Sequence, residues 1–301
     1  DDSGSWHMYS ALMDADCHLS SWLSNSRVLH AVASGPDGPY EPKEVALGPR
    51  NASFWDSLTQ HNPTVARAPD GTWLLFYMGN HATSGQKPAN CTPGVGADGG
   101  LNPLAQVQRV GVASAPSPNG PWTREPSPVL EPGPRGAWDD MFTTNPTAHV
   151  FSNGTVLLLY KGRSYENENA MLTGVAVAPS WRGPYRRVGK GPIANVPTDC
   201  EDAGIFRGRK TGRFFGVFHC GCAFLTVWSS DGIDWRPTGP PKPWCSVTFD
   251  DGSKAQLKRR ERPQFVLDSR GDVIAMTNGV EPPSSLHGGR VFTMLSTVAG
   301  Q

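Results

Sequence analysis

Two stretches of this 301-residue chain repeat each other in detail: WDSLTQHNPTVARAPDGTWLLFYMG from Trp55 and WDDMFTTNPTAHVFSNGTVLLLYKG from Trp138. In both, Trp-Asp stands ahead of Asn-Pro-Thr with the same five-residue gap, so Trp55, Asp56 and Asn62 correspond to Trp138, Asp139 and Asn145. Asn-Pro-Thr opens a strand-like run, a Gly-containing turn follows (PDGT or SNGT), and a second apolar run closes the hairpin. A repeat this specific restricts the chain to modular architectures.

Further copies follow the same rhythm. A second turn with a Gly-Pro-aromatic signature occurs in ASGPDGPYEP (Tyr40), ASAPSPNGPWTRE (Trp122) and VAPSWRGPYRRV (Tyr185), with WSSDGIDWRP (Trp235) as a divergent version. The inner hairpin itself is expected five times: near WHMYSALM, in the two stretches above, in EDAGIFRGRKTGRFFGVFH and in ERPQFVLDSRGDVIAMTNG. Five units in 301 residues is roughly 60 per unit, the size of a four-stranded propeller blade with its loops. The chain is therefore predicted to be all-β, a single five-bladed β-propeller domain over 1–301 with units near 6–48, 54–131, 138–190, 199–240 and 258–301. Long Gly/Pro-rich insertions are expected at 84–106 and 237–254. A β-sandwich built of similar hairpins is the competing reading. It does not explain why polar residues introduce the same strand of each unit.

Composition supports a folded chain and removes several classes of partner. At 38% hydrophobic and 18% charged, the sequence can bury a full core, and its 34 Gly and 28 Pro suit many tight turns. The formal net charge is zero, which favours neither nucleic acid nor an anionic membrane. No apolar run approaches the roughly 20 residues that span a bilayer. The six cysteines lack zinc-site spacing, and the even count, together with sequons at Asn51, Asn90 and Asn153, predicts a secreted, disulfide-bonded glycoprotein. The opening DDSGSWHMYS, without Met or an apolar leader, fits removal of a signal peptide or trimming.

In a propeller the innermost strands run beside the central channel, so polar residues at their starts converge on one funnel. Asp56, His61, Asn62 and Asn145 are expected to line it, with Trp55 and Trp138 either stacking on sugar rings or packing the blades. From here the chain resembles a known group. HNPTV…DGTWLLFYMG, CEDAGIF…GRFFGVFH and RERPQFVLD…GDVIAMTNG are similar to the five-bladed propeller glycosidases, the superfamily of glycoside hydrolase families 43, 32 and 68. The resemblance implies three carboxylates from successive blades: a base or nucleophile, an Asp that tunes pKa and orients the sugar, and a Glu general acid. Family 43 members invert and families 32 and 68 retain.

Carried onto this sequence, the resemblance makes Glu261 of ERPQF the acid, with Arg262 in place of Gly, and Asp202 of EDAGIF the modulator, with Ala203 in place of Pro. A second mapping makes Glu201 the acid. The base position falls on Asn145, and Asn is no base; Asp139 or Asp140, Asp14 or Asp16 of the first unit, or no hydrolysis at all are the open readings. Two carboxyl groups suffice in chemical terms, one protonating the leaving oxygen and one activating water or attacking carbon. Arg262 is expected to clamp a sugar hydroxyl or carboxylate, or to neutralise its acidic neighbours. His61, His149 and His219 are candidate sugar or ion contacts, each weighed against an ordinary strand histidine. Lys258–Arg262 reads as a solvated loop edge. SSDGIDW resembles the structural Asp-box turn of sialidases, but a sixth blade and an arginine triad are lacking. The expectation is a secreted glycoside hydrolase acting on plant, algal or microbial polysaccharide or its oligosaccharides, with no cofactor beyond a conceivable structural calcium ion in the channel. A propeller that binds glycan without cleaving it and an extracellular protein-interaction module are the alternatives; oligomeric state, sugar and linkage are not legible.

Overall fold

The computed structural model describes residues 1, 3–82, 91–94, 101–167, 170–189, 191–198, 200–286 and 289–297. The chain is nearly all β and forms a five-bladed β-propeller. Blade 1 holds β1 (Trp6–Met13), β2 (Ser26–Ala33) and β3 (Glu41–Leu47). Blade 2 holds β4 (Thr59–Arg67), β5 (Trp73–Asn80), β6 (Arg109–Ala115) and β7 (Thr123–Arg124). Blade 3 holds β8 (Phe142–Val150), β9 (Val156–Arg163), β10 (Leu172–Ala178) and β11 (Arg186–Val188). Blade 4 holds β12 (Glu201–Arg207), β13 (Phe214–Cys220), β14 (Ala223–Ser229) and β15 (Arg236–Pro237), with β16 (Lys242–Pro243) also on β14. A small ribbon of β17 (Ser246–Thr248) and β18 (Lys254–Gln256) leads to blade 5, β19 (Arg259–Leu267), β20 (Val273–Glu281) and β21 (Phe292–Thr297). Two compact units divide the chain: Asp1–Asn169 with Gly174–Val188, and Ala170–Thr173 with Gly189–Gln301.

In blades 2 and 3 the second strands are buried almost throughout, which is why WLLFYM and VLLLY read as continuous apolar runs. Leu74, Phe76, Val110 and Val112 of blade 2 pack against Val156, Leu158 and Tyr160 of blade 3. The second unit has its own cluster of Val217, Trp244, Leu257, Val280 and Met294. Inner hairpins close on Asx turns: Asp70 accepts from the Thr72 N–H at 2.9 Å and Asn153 from that of Thr155 at 3.0 Å, with Gly71 and Gly154 left-handed at φ 89° and 86°. Three disulfides, Cys17–Cys91, Cys200–Cys220 and Cys222–Cys245, use all six cysteines. Among the described residues no helix is long and apolar enough to cross a membrane.

The repeated Trp-Asp has a structural task. Trp55 stacks on Tyr77 at 5.8 Å, over Gly79 and Gly111, where any Cβ would strike the indole. The fully buried Asp56 carboxylate accepts from the Tyr77 hydroxyl at 2.7 Å, from Arg124 at 3.2 Å and from Arg50. Arg124 lies on the outermost strand and also donates to the Gly48 carbonyl at 2.6 Å. Blade 3 repeats the clasp with Trp138 over Gly162 and Gly174, Tyr160 bonded to Asp139 at 2.8 Å, and Arg187 at 2.6 Å from Asp139 and on the Glu131 carbonyl. In blades 2 and 3 the loop before the inner strand is thereby tied to the outer edge of the same blade. The expectation that Asp56 lines the funnel is corrected: its carboxylate is fully enclosed by these donors.

Blade 1 departs from its expected form. β1 was expected within an inner hairpin, but its register is that of a second strand. Trp6 pairs with Ala33 and Leu12 with Arg27, as Trp73 pairs with Ala115 and Gly79 with Arg109 in blade 2. Among the described residues, blade 1 has the counterparts of strands two to four and no innermost strand.

Two outcomes follow for stability. Asp56→Ala removes the acceptor for two guanidinium groups and a buried phenol, and should cost about 3–5 kcal/mol in urea unfolding. His30 is fully buried; it shares a 2.8 Å hydrogen bond, Nε2 to Nδ1, with His7, and its ring lies 4.9 Å from that of Tyr9. Burial first, with the His7 and Lys43 charges, pushes its imidazole below the ordinary value of 6.5 against the pull of Glu44. The folded chain thus binds this proton more weakly than the unfolded chain, and the associated stability is present above 6.5 and lost as pH falls below it. His30→Gln should flatten the fall in Tm between about pH 7.5 and 5; an unaltered slope counts against this origin.

Candidate functional site

The inner strands β4, β8, β12 and β19 share one irregularity. Their pairing registers slip between His61 and Thr64, Thr144 and Thr147, Glu201 and Gly204, and Glu261 and Gln264. Each slip holds one left-handed residue: Asn62 (φ 51°), Asn145 (49°), Asp202 (56°) and Arg262 (56°). This is a β-bulge, which turns a side chain out of the strand's alternation and re-aims it. Asn and Asp adopt the left-handed region at modest cost, whereas for Arg262 it is a strained conformation of the kind that gathers at functional sites.

In the first unit these residues meet. Asn62 Nδ2 donates to Asn145 Oδ1 at 2.7 Å, and the Thr64 hydroxyl donates to the Pro146 carbonyl at 2.9 Å. His61 shares a 2.7 Å hydrogen bond between Nδ1 and Ser26 Oγ, and its ring lies 5.8 Å from that of Trp22. His61 and Asn62 are both buried. Asp14 and Asp16 follow β1 at this same end, since Met13 pairs with Ser26; both are exposed, and Asp14 lies 3.6 Å from Arg27.

The second unit carries the carboxylates. Asp202 and Arg262, equivalent to the Asn62–Asn145 pair, stand 4.0 Å apart with side chains 7% and 12% exposed. Gly204 permits this approach, because a Cβ there would overlap the Pro263 carbonyl. Burial pushes the Arg262 guanidinium below its ordinary pKa and the Asp202 charge opposes that shift. Glu201 pairs across the sheet with His219, Oε1 to Nδ1 at 3.9 Å, and His219 stacks on Trp244 at 6.5 Å. Glu261 lies 3.7 Å from Arg259, which also reaches Glu281 at 3.3 Å. Glu201 and Glu261 keep 20% and 28% side-chain exposure, enough to meet a ligand, while Asp202 is nearly closed off. Arg260 lies 4.8 Å over the Trp244 ring and donates to Asn278, Ser296 and the Trp244 carbonyl, each at 3.1 Å.

Solved structures share this arrangement of strands at very low identity. A family 117 glycoside hydrolase of the marine bacterium Zobellia galactanivorans aligns with a TM-score of 0.65 at 16% identity, over 97% of this chain and 79% of that one. An α-L-arabinofuranosidase from Lactobacillus brevis gives 0.65 at 11%, over 99% and 87%, and fructan 1-exohydrolase IIa from Cichorium intybus 0.65 at 12%, over 97% and 52%. The fold is that of the five-bladed propeller glycoside hydrolases. No protein-family model and no curated protein sequence matches the chain.

On that propeller the remaining candidates fall in other places. Asp139 is fully buried in the blade 3 clasp, bonded to Tyr160 and Arg187 and closed to a sugar. Burial pushes the Asp140 carboxyl up, but the Gly136 and Tyr165 N–H groups, Ser164 and Arg135 outweigh it and hold it below the usual range. Trp55 and Trp138 pack the blades. His149 sits edge-on to Phe151 at 4.8 Å. Lys258–Arg262 is no loop edge: β19 starts at Arg259, with Arg260 and Arg262 drawn into the structure by Trp244 and Asp202. In SSDGIDW, Asp231 Oδ1 accepts from the Ile233 and Asp234 N–H groups at 2.8 and 3.0 Å, and buried Trp235 bonds the Gly232 carbonyl, a structural turn. Trp22 and Trp244 were missed, since each stands in a loop without a repeated signature. Asn51 and Asn153 are exposed, and Asn90 lies outside the described residues. Among the described residues no group of three or more His, Cys, Asp or Glu side chains could hold a metal ion.

The bulge pairing predicts energetic coupling. In a double-mutant cycle of Asp202→Ala and Arg262→Ala, each single change removes one side of this 4.0 Å ion pair. The coupling should be about 1–3 kcal/mol in chemical denaturation, and additive losses would contradict the pairing.

Proposed function

We propose that the chain is a glycoside hydrolase whose acid chemistry comes from the starts of the blade 4 and blade 5 inner strands. The observation that carries this reading is the paired bulge, which sets Glu201-Asp202 and Glu261-Arg262 on neighbouring strands with Asp202 and Arg262 4.0 Å apart. The fold, shared with an arabinofuranosidase, a fructan exohydrolase and a family 117 enzyme, supports it. Glu261 is the proposed general acid, delivering a proton to the glycosidic oxygen, and Glu201 beside His219 is the second candidate for that role. Asp202, fixed by Arg262, orients the sugar. Arg262 neutralises the acidic group, as its distance from Asp202 supports. The substrate is a carbohydrate; within the first unit His61, Asn62 and Asn145 are proposed sugar contacts, and the three disulfides support an extracellular setting.

Amide pairing of Asn62 with Asn145 favours a second reading, a glycan-binding propeller without turnover. A panel of aryl glycosides and polysaccharides, run beside a glycan array, separates the two. For the enzyme, Glu261→Gln or Glu201→Gln should lower kcat by about two to four orders of magnitude with Tm kept, the range of a lost acid–base group. Unchanged kcat in both variants refutes the assignment, and array binding with no hydrolysis by the parent chain establishes the second reading.

A further inference from the structure

Where the outer edge of blade 2 meets the outer turn of blade 3, the first unit leaves a cavity of about 430 Å³. Its origin is local. In blade 1 the outermost strand, β3, runs continuously from Glu41 to Leu47 beside β2. Blade 2 gives the same place to the two residues of β7, after which the chain keeps only two further bonds to β6: Glu125 N–H to the Val112 carbonyl at 3.0 Å and Val129 N–H to the Val110 carbonyl at 2.9 Å. Pro126 and Pro128 stand between them and have no N–H with which to continue the ladder. This Pro-Ser-Pro excursion forms one wall of the cavity, and the blade 3 turn that ends at Tyr185 forms the other.

The lining divides into two kinds of surface. Pro126, Pro128, Pro184, Tyr185, Val129 and Leu130 make it largely apolar, and Val129, Leu130 and Tyr185 belong to the margin of the core shared by blades 2 and 3. The charged groups are two acids and two bases, Glu125, Glu131, Arg182 and Arg187. All four are already matched: Arg182 lies 3.5 Å from Glu125, Arg187 bonds Asp139 at 2.6 Å, and Glu131 accepts from Arg109 at 2.8 Å. A lining balanced in this way selects neither an anion nor a cation. It does offer carboxylate acceptors beside guanidinium donors, and a hydroxyl group, which both donates and accepts, uses the two together. A proline-rich or other apolar ligand would strip water from these groups without replacing its hydrogen bonds. The volume falls within the roughly 300–1,000 Å³ of small-molecule sites, and a mostly apolar lining with a few polar groups is their usual composition.

We propose that this cavity binds one ring of a neutral saccharide, as a second carbohydrate site separate from the inner strands. Tyr185 and the prolines cover the C–H faces of the ring, and Arg182 with Glu125, and Arg187 with Glu131, bond its hydroxyls. None of these residues belongs to β4, β8, β12 or β19, so a sugar held here does not compete for the acid groups of the proposed reaction. Only the identity of that sugar as part of the chain's own substrate rests on the glycoside hydrolase reading; capture of the ring stands without it.

The test follows the side-chain methyl resonances of Val129 and Leu130 in the full chain while fragments of arabinan, fructan and galactan are added. Saturable shifts are expected with at least one fragment. Arg182→Ala, which removes a charged donor, should weaken that binding by about tenfold or more. Ser127→Trp, at an exposed position of the excursion, should abolish the shifts by filling the space, with Tm kept. Resonances that none of the fragments moves, or shifts that survive both substitutions, overturn the proposal. A stronger response to a galacturonan fragment or to a proline-rich peptide overturns it too, because the cavity then selects an anion or a peptide. Hydrolysis on the glycoside panel with unmoved methyl resonances removes this site and leaves the enzyme reading standing, whereas saturable shifts in a chain that hydrolyses nothing do the opposite.

Discussion

One extra residue in each inner strand governs what this propeller presents. A regular strand alternates its side chains between two faces, and in a packed blade both faces are committed to neighbours. The bulge breaks that alternation once, at Asn62, Asn145, Asp202 and Arg262, and frees a single side chain from both faces. The conformational cost is about 1–2 kcal/mol for a residue with a Cβ, so it needs support from the surroundings. That support is visible where inner strands meet, in the Thr64 to Pro146 bond and in Gly204 beneath Pro263. The two meetings use different chemistry at the same geometric position: paired amides in one unit, an acid–guanidinium pair in the other.

A second constraint, the clasp, keeps the bulges in place and explains the most conspicuous sequence repeat. Trp-Asp is spaced from Asn-Pro-Thr because the indole must sit over glycines of the second and third strands while the carboxylate reaches an Arg on the outermost strand. Blade 2 adds Arg50 to its clasp, whereas in blade 3 the corresponding Gly133 lies against the Asp139 carboxylate. A buried carboxylate with a phenol and a guanidinium around it is demanding in geometry, since any partner removed leaves the others desolvated. Such a group specifies loop position better than apolar contacts, which tolerate sliding.

This is why the fold was more legible than the site. Periodicity, Gly-containing turns and the cysteine count are local properties of sequence, and they led to an all-β chain of repeated hairpins with three disulfides. The Asn-Pro, Glu-Asp and Glu-Arg motifs were recognisable because a bulge needs an unusual residue at a fixed offset. The role of Trp-Asp was not, because a polar residue before a strand reads alike whether it faces solvent or a buried Arg tens of residues away; Asp56 and Arg124 are 68 apart. Lys258–Arg262 misled for the same reason, as charge suggests exposure until Asp202 and Trp244 supply partners. In blade 1, WHMYSALM matched the strand pattern but could not reveal its ordinal place. That place became visible only through the register with β2.

The ordinal place matters because a propeller blade is not symmetric in what its strands can do. In blades 2 and 3 the outer strands carry the Arg residues of the clasp and the middle strands fill the core, and the left-handed bulge residues lie on the innermost strands of blades 2 to 5. A blade with its second to fourth strands has the means to hold its neighbour: β4 is tied to blade 1 through Thr59 on the Ser26 carbonyl at 2.9 Å and His61 on Ser26 Oγ. It has no position from which to offer a bulge side chain. The capacity to fold and the capacity to complete a polar cluster are therefore separable along this chain: the bonds of β1 to β2 secure its blade, while the left-handed residues that meet in pairs stand on the inner strands of the other blades.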